Sequence, residues 1–288
     1  MSEVRFGAGD VARVRFAISP RWETVASLGA LAEPGRHPSH GPWLREARAL
    51  AADPELRRLV APVRALIGPG MVLPDFLTPP PSEPLADLDA ELAGLPAELS
   101  AGIRAWWAAA IAPHWSRIRA VLEADIAYRT RQLAEGGLSL LFDRLHPTVR
   151  WAGDRLVAQD CGIGDLDLAG RGLPLLPSVF APQAVLLSTE PAAPPVAIYP
   201  ARGSGLLWTS GPVAPGLAKL LGRSRAEVLA LTVTPSSTSQ VAERAGLSLP
   251  AASQQLTVLR EAGLITSRRY RREVLHATTE LGAALLHP

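Results

Sequence analysis

Residues 238–260 read TSQVAERAGLSLPAASQQLTVLR, two short helical patterns separated by a glycine. In the first, running from Thr238 or Ser239 to Ala245, Val241 and Ala242 supply the apolar stripe. Gly246 follows at the point where a tight turn demands the left-handed backbone conformation. Ser248 has the side chain of an N-cap, and Pro250 stands in the first turn of a second helix that runs to about Glu261. At 3.6 residues per turn Ala252, Leu256 and Leu259 point inward, which leaves Ala251, Ser253, Gln254, Gln255 and Thr257 largely outward. Two short helices joined by a glycine turn describe a helix-turn-helix.

Working outward, 217–221 reads as a short helix, and Ser224-Arg225-Ala226-Glu227 has the Ser-x-x-Glu capping-box pattern, opening a helix over 224–233. Downstream, Ala262-Gly263 stops the second helix. The segment 264–268 then reads as a strand, Arg269-Tyr270-Arg271-Arg272 as a tip, 273–277 as a returning strand and 279–286 as a last helix. Arg268, Arg269, Arg271 and Arg272 at one hairpin tip repel each other unless an anion lies between them, and phosphate or the minor groove of DNA supplies one. The outward face of the second helix is small and polar. Small side chains allow close approach to a groove, glutamine can pair with adenine through two bonds, and serine or threonine can bond bases or phosphates. The predicted contacts to double-stranded DNA are therefore Ser248, Ala251, Ser253, Gln254, Gln255, Thr257, Arg268, Arg269, Arg271 and Arg272.

The stretch from Ser239 to Ser248, the group Ser253-Gln254-Gln255-Leu256 with Leu259, and Glu261-Ala262-Gly263-Leu264-Ile265 follow one another in a definite order. With the basic hairpin, His276-Ala277-Thr278 and Leu281-Gly282, this ordered set resembles the ArsR-type family of winged-helix regulators. It covers about a quarter of the chain, and the whole resembles regulators of actinobacteria that carry a long N-terminal domain of unassigned function. The resemblance implies a winged helix-turn-helix, a homodimer, and repression as the common mode. Two departures limit what carries over. Many relatives have Ser-x-His-Leu where this chain has Ser253-Gln254-Gln255-Leu256, so base preference is not transferable. The family's metal sensors carry a cysteine motif just before the helix-turn-helix, and nothing between Ala226 and Gln240 is similar to it.

The first part of the chain, to about Leu145, reads as helices between proline-rich turns. Asp10 is placed to cap a helix over 11–18 that Pro20 ends. Helices follow over 44–50 and 54–66, the latter with Asp53 as N-cap and Pro54 at its first position, and over 103–110 and 113–133, before a break at Gly136-Gly137. From His146 the pattern changes to short runs at 149–151, 155–158, 173–176, 184–187 and 196–199. These predict a small antiparallel sheet closing the N-terminal domain. The expected class is α+β: a mainly helical domain with a small sheet over 1–211, then the winged helix-turn-helix over 212–288.

At 288 residues, 48% hydrophobic and 19% charged, the chain is long enough for two domains with buried cores. It has no run of about 18 uncharged apolar residues, and Glu3, Arg5, Asp10 and Arg13 stand where a signal peptide needs its apolar segment. A cytoplasmic protein without membrane contact is the expectation. Cys161 is the only cysteine, between Asp160 and Asp165, which excludes an internal disulfide and a paired-thiolate zinc site within one chain. The net charge of +2 is unevenly spread. From Lys219 onward nine basic residues (Lys219, Arg223, Arg225, Arg244, Arg260, Arg268, Arg269, Arg271 and Arg272) face five acids (Glu227, Glu243, Glu261, Glu273 and Glu280).

Other candidates carry less. His37 and His40 lie three residues apart across Pro38 in a loop, weak spacing for a metal, and His114, His146 and His276 read as structural. Asp87 with Asp89 and Asp165 with Asp167 lack a matching base, nucleophile elbow, phosphate loop or dinucleotide fingerprint, and solvated loop acids explain them. The expectation is a protein that is not an enzyme and has no metal or cofactor. Trp22, Trp43, Trp106, Trp107, Trp115 and Trp151 all belong to the N-terminal domain. They read first as core and second as the lining of a pocket for a small-molecule effector; Trp106 and Trp107 point in different directions on a helix, so at least one packs inside. The alternative to a regulator is an N-terminal enzyme or receptor whose winged helix serves dimerisation or protein contact.

Overall fold

The structure is a computed structural model that describes residues 2–81, 83–159, 165–181, 186–188, 195–208, 215–233, 236–270 and 273–286. Cys161, Arg271 and Arg272 lie outside the described residues, as do Ala184 and Val185 of the run predicted over 184–187. The chain is α+β and divides into two compact units, Met1–Gly205 and Leu206–Pro288.

The first unit contains strands β1 (Ser2–Arg5) and β2 (Arg15–Phe16), helices α1 (Ala8–Val11), α2 (Pro20–Ala32), α3 (Gly41–Ala51), α4 (Pro54–Ala65), α5 (Leu88–Leu92), α6 (Ala97–Trp106) and α7 (Trp115–Asp143), and then strands β3 (Val149–Ala152), β4 (Arg155–Ala158), β5 (Leu166–Asp167), β6 (Pro174–Ser178), β7 (Leu186–Ser188) and β8 (Val196–Pro200). The start of this unit corrects the sequence reading. Pro20 opens a helix rather than ending one: the Ser19 hydroxyl accepts the Trp22 N–H at 2.9 Å, and proline at the first helical position lacks a donor that would be unpaired there anyway. Asp10 caps no helix over 11–18. Its buried carboxylate instead accepts the N–H groups of Gly7 at 2.9 Å and Gly172 at 2.8 Å, tying the two ends of the unit together. Asp53 accepts the Leu56 N–H at 2.8 Å and does begin α4. Gly136 and Gly137 leave helical geometry inside α7, where the break was expected.

The single antiparallel sheet expected over 149–199 is two mixed sheets. In one, the hairpin β3–β4 adds β1 antiparallel to β4, and β5 runs parallel to β1, in the order β3-β4-β1-β5. In the other, β2, β6 and β8 are parallel and β7 closes the edge antiparallel, in the order β2-β6-β8-β7. The parallel part needs long crossovers, and the helices α2 to α7 lie in the one between β2 and β6. Every residue of β6 is buried, the burial expected of a parallel strand covered on both faces. Val4, Phe6, Leu141, Phe142, Leu156, Leu168, Leu175 and Tyr199 form the core between the sheets and the end of α7.

The second unit contains α8 (Pro215–Leu221), α9 (Arg223–Leu231), β9 (Ser236–Ser237), α10 (Thr238–Ala245), α11 (Leu249–Glu261), β10 (Ile265–Tyr270), β11 (Glu273–Thr278) and α12 (Glu280–Leu286). Helices α9, α10 and α11 pack around Val228, Leu229, Val241, Ala242, Ala252, Leu256 and Leu259, and Leu264 and Ile265 close the same core from the hairpin side. Strands β10 and β11 are antiparallel, with Ile265 opposite Thr278 at one end and Tyr270 opposite Glu273 at the other. The short strand β9 adds to β11 through Ser236 and Ser237. No helix among the described residues is long and apolar enough to cross a membrane.

Candidate nucleic-acid interface

The turn between α10 and α11 is set by local chemistry. Ser237 caps α10, accepting the Gln240 N–H at 3.4 Å, while its own N–H donates to Gln240 Oε1 at 2.9 Å. This reciprocal box was not anticipated. The Ser-x-x-Glu pattern that was read at Ser224 is unused, because α9 starts one residue earlier, after Gly222. At the other end of α10, Gly246 sits at φ 64°, ψ 31°, and the Leu247 N–H returns to the Ala242 carbonyl at 2.9 Å. Ser248 then begins α11, its hydroxyl accepting the Ala251 N–H at 3.4 Å.

On α11, Ala252, Leu256 and Leu259 are buried. Ser248, Ser253 and Gln254 are exposed, and Ala251, Gln255 and Thr257 are half-buried. The outer face is less polar than the sequence reading had it: Leu249 and Val258 are also exposed, at 54% and 36%. Both can meet apolar groups such as the thymine methyl. Arg225, on α9, was counted in the sequence only as charge, yet its Nε donates to Gln255 Oε1 at 3.0 Å.

In the hairpin, Arg269 is exposed and pairs through its backbone with Val274, and the backbone of Arg268 pairs with Leu275. His276 is buried between hairpin and helices. Its Nδ1 lies 2.8 Å from Ser267 Oγ on β10, and its Nε2 lies 3.1 Å from Thr238 Oγ1, the first residue of α10. Burial and then the Arg260 charge push its pKa down, so the neutral ring links β10 and β11 to the start of α10. Exposed Arg223, Arg225, Arg244, Arg260 and Arg269 add positive charge to this unit. An outer helix face of donors, acceptors and small apolar groups beside a basic hairpin can pair with base edges and phosphates.

In the first unit, Trp22, Trp43 and Trp106 are core. Trp106 Nε1 donates to Ser27 Oγ at 2.8 Å and Trp43 Nε1 to the Ala110 carbonyl at 3.0 Å. Trp151 stacks on Phe142 at 5.5 Å. Trp107 differs. It is half-buried at the start of a π-helical turn, Trp107–Ile111, and its ring lies edge-on to Trp115 at 4.9 Å. These two rings, with Leu85, Leu88, Arg104 and Arg119, help line a cavity of about 570 Å³. Arg104 Nε is held by Asp89 at 2.8 Å, and Arg119 Nε by Glu123 at 2.8 Å.

The histidines noted in the sequence are engaged structurally. His37 and His40 are buried and stacked at 5.7 Å, with His40 Nε2 donating to the Val179 carbonyl at 2.7 Å. His114 meets Glu46 at 3.2 Å, and His146 Nδ1 lies 2.8 Å from Thr148 Oγ1. No group of three or more histidine, cysteine, aspartate or glutamate side chains able to hold a metal occurs among the described residues. Comparison with protein families, with curated proteins and with solved structures found no match for the chain.

Proposed function

We propose that the C-terminal unit is a winged helix-turn-helix of the ArsR type and that the protein is a sequence-specific, homodimeric transcription regulator, acting as a repressor. The observation that carries this reading is the left-handed Gly246 turn, which joins α10 to α11 so that α11 turns Ala252, Leu256 and Leu259 to the core and leaves Ser253 and Gln254 exposed. Helix α11 enters the major groove, with Ser253, Gln254, Gln255 and Thr257 reading base edges and Ser248 and Ala251 at its leading end. Arg268, Arg269, Arg271 and Arg272 hold flanking phosphates or the minor groove. The cavity beside Trp107 and Trp115 is the seat of a small-molecule effector, whose binding shifts DNA affinity through linkage.

Two single variants, Gln254→Ala and Arg269→Ala, test the division of roles. Their affinities for a duplex selected from a random library with the wild-type chain, and for random duplexes, are measured across a salt series. Gln254→Ala lowers affinity for the selected duplex alone, whereas Arg269→Ala weakens all sequences and reduces the salt slope by about one. Equal losses on specific and random DNA from both variants contradict the assignment.

A further inference from the structure

On the proposed reading of α11 as the groove-reading helix, we infer that Arg225 is a positioning residue that fixes how Gln255 presents its amide, and thereby makes Gln255 select guanine rather than adenine. Arg225 lies on α9, outside the helix-turn-helix, and is exposed. Its Nε donates to Gln255 Oε1 at 3.0 Å, and its Nη1 lies 3.4 Å from the Leu221 carbonyl oxygen at the end of α8.

The chemistry of the partner orients the amide. A guanidinium has five donors and no acceptor, so the amide atom facing it is the carbonyl oxygen, and the NH₂ group points away. Gln255 half-covers itself on the flank of α11 nearest α9, beside Ala251 one turn earlier and Val258 one turn later, while Ser253 and Gln254 stand exposed. Pairing with adenine through two bonds requires a glutamine to accept from N6 and donate to N7 at once. With Oε1 turned to Arg225, the presented group is a donor pair. The matching edge is the one that offers two adjacent acceptors, N7 and O6 of guanine. Holding the side chain before DNA arrives also removes part of the ordering cost that an unrestrained glutamine meets on binding.

The test selects duplexes from a random library with the full-length chain and with Arg225→Ala, Arg225→Lys, Gln255→Ala and the Arg225→Ala/Gln255→Ala double variant. The affinity of the selected duplex and its single-base variants is then measured across a salt series. The expected result is a guanine preference at one position in the wild type, of about fivefold or more, the low end of what one base contact discriminates. That preference is lost at the same position in both alanine variants, and the double variant loses no more than either single one. Arg225→Lys, which keeps the charge but not the planar fork, retains the salt slope and relaxes the same position. A uniform weakening by Arg225→Ala, with the salt slope reduced by about one and base preference unchanged, makes Arg225 a phosphate contact and overturns the inference. Adenine selected at the Gln255-dependent position overturns it as well. A wild type that enriches no duplex removes the DNA-binding reading itself, and the inference with it.

Discussion

Replacing Glu23 with glutamine removes the loss of stability that Glu23 imposes on the N-terminal unit as pH rises. The Glu23 carboxyl is fully enclosed at the carboxyl end of β6, where both oxygens lie 3.3 Å from the Val179 N–H. Burial raises its pKa from 4.5 to about 8, against the opposing hydrogen bonds from Ser178, Val179 and Phe180. The carbonyl of the same residue, Val179, accepts the Nε2 proton of His40, whose pKa burial lowers from 6.5 to about 4. The folded unit therefore binds the Glu23 proton more tightly than the unfolded chain does and the His40 proton less tightly. Stability from Glu23 is full below pH 4.5 and declines as pH rises towards 8, at about 1.4 kcal/mol per pH unit and about 5 kcal/mol in all. Stability from His40 is full above pH 6.5 and declines as pH falls towards 4, by about 3 kcal/mol in all. The two slopes cancel between pH 4.5 and 6.5, and the Glu23 decline stands alone from 6.5 to 8. Glu23→Gln keeps the shape and an acceptor for the Val179 N–H but cannot ionise. Urea unfolding from pH 4 to 9, followed by tryptophan fluorescence, measures the difference, since six of the seven tryptophans lie at or before Trp151. The variant gains on the wild type steadily from pH 4.5 to 8, by about 5 kcal/mol in total. Parallel curves for the two proteins refute the reasoning, for they require Glu23 to be ionised in the folded state.

Gly246→Ala places a Cβ at φ 64° and destabilises the C-terminal unit by about 1–2 kcal/mol in thermal unfolding, without disturbing the N-terminal transition. Gly102→Ala builds a Cβ 2.5 Å from the Leu59 carbonyl oxygen and 3.1 Å from Val63 Cγ2 where α6 crosses α4, at a cost of about 1–3 kcal/mol in urea unfolding. Gly9→Ala, which meets nothing within 4 Å, serves as the control and stays within about 0.5 kcal/mol of the wild type. Leu256→Ala empties the centre of the C-terminal core and lowers its stability by about 2–5 kcal/mol, read by circular dichroism.

The features legible in the sequence are those set by neighbours along the chain. Gly246, Ser248 with Pro250, Asp53 with Pro54, and the glycine pair in α7 each act within one helical turn, and each turn or cap falls where the residue type places it. The sheets were not legible, because their ordering contacts span most of the N-terminal unit. Strand β1 joins β4 across more than 150 residues, and β2 joins β6 across a similar distance, so the short runs after His146 look like hairpins when read alone. Pro20 was misread for a related reason: proline both ends and begins helices, and only the Ser19 hydroxyl in front of it tells which. In the candidate interface, the outward positions on α11 follow from helical period. The Arg225–Gln255 bond does not, since the two residues lie on different helices and no local pattern links them.

The most direct test of the account is the salt dependence of binding by the full-length protein to a fluorescent duplex from its own upstream region, beside a scrambled duplex of equal length. The account predicts tight binding that prefers the native duplex and falls steeply with salt, with a log–log slope of roughly −0.9 for each phosphate neutralised. Failure to bind either duplex at low salt contradicts it.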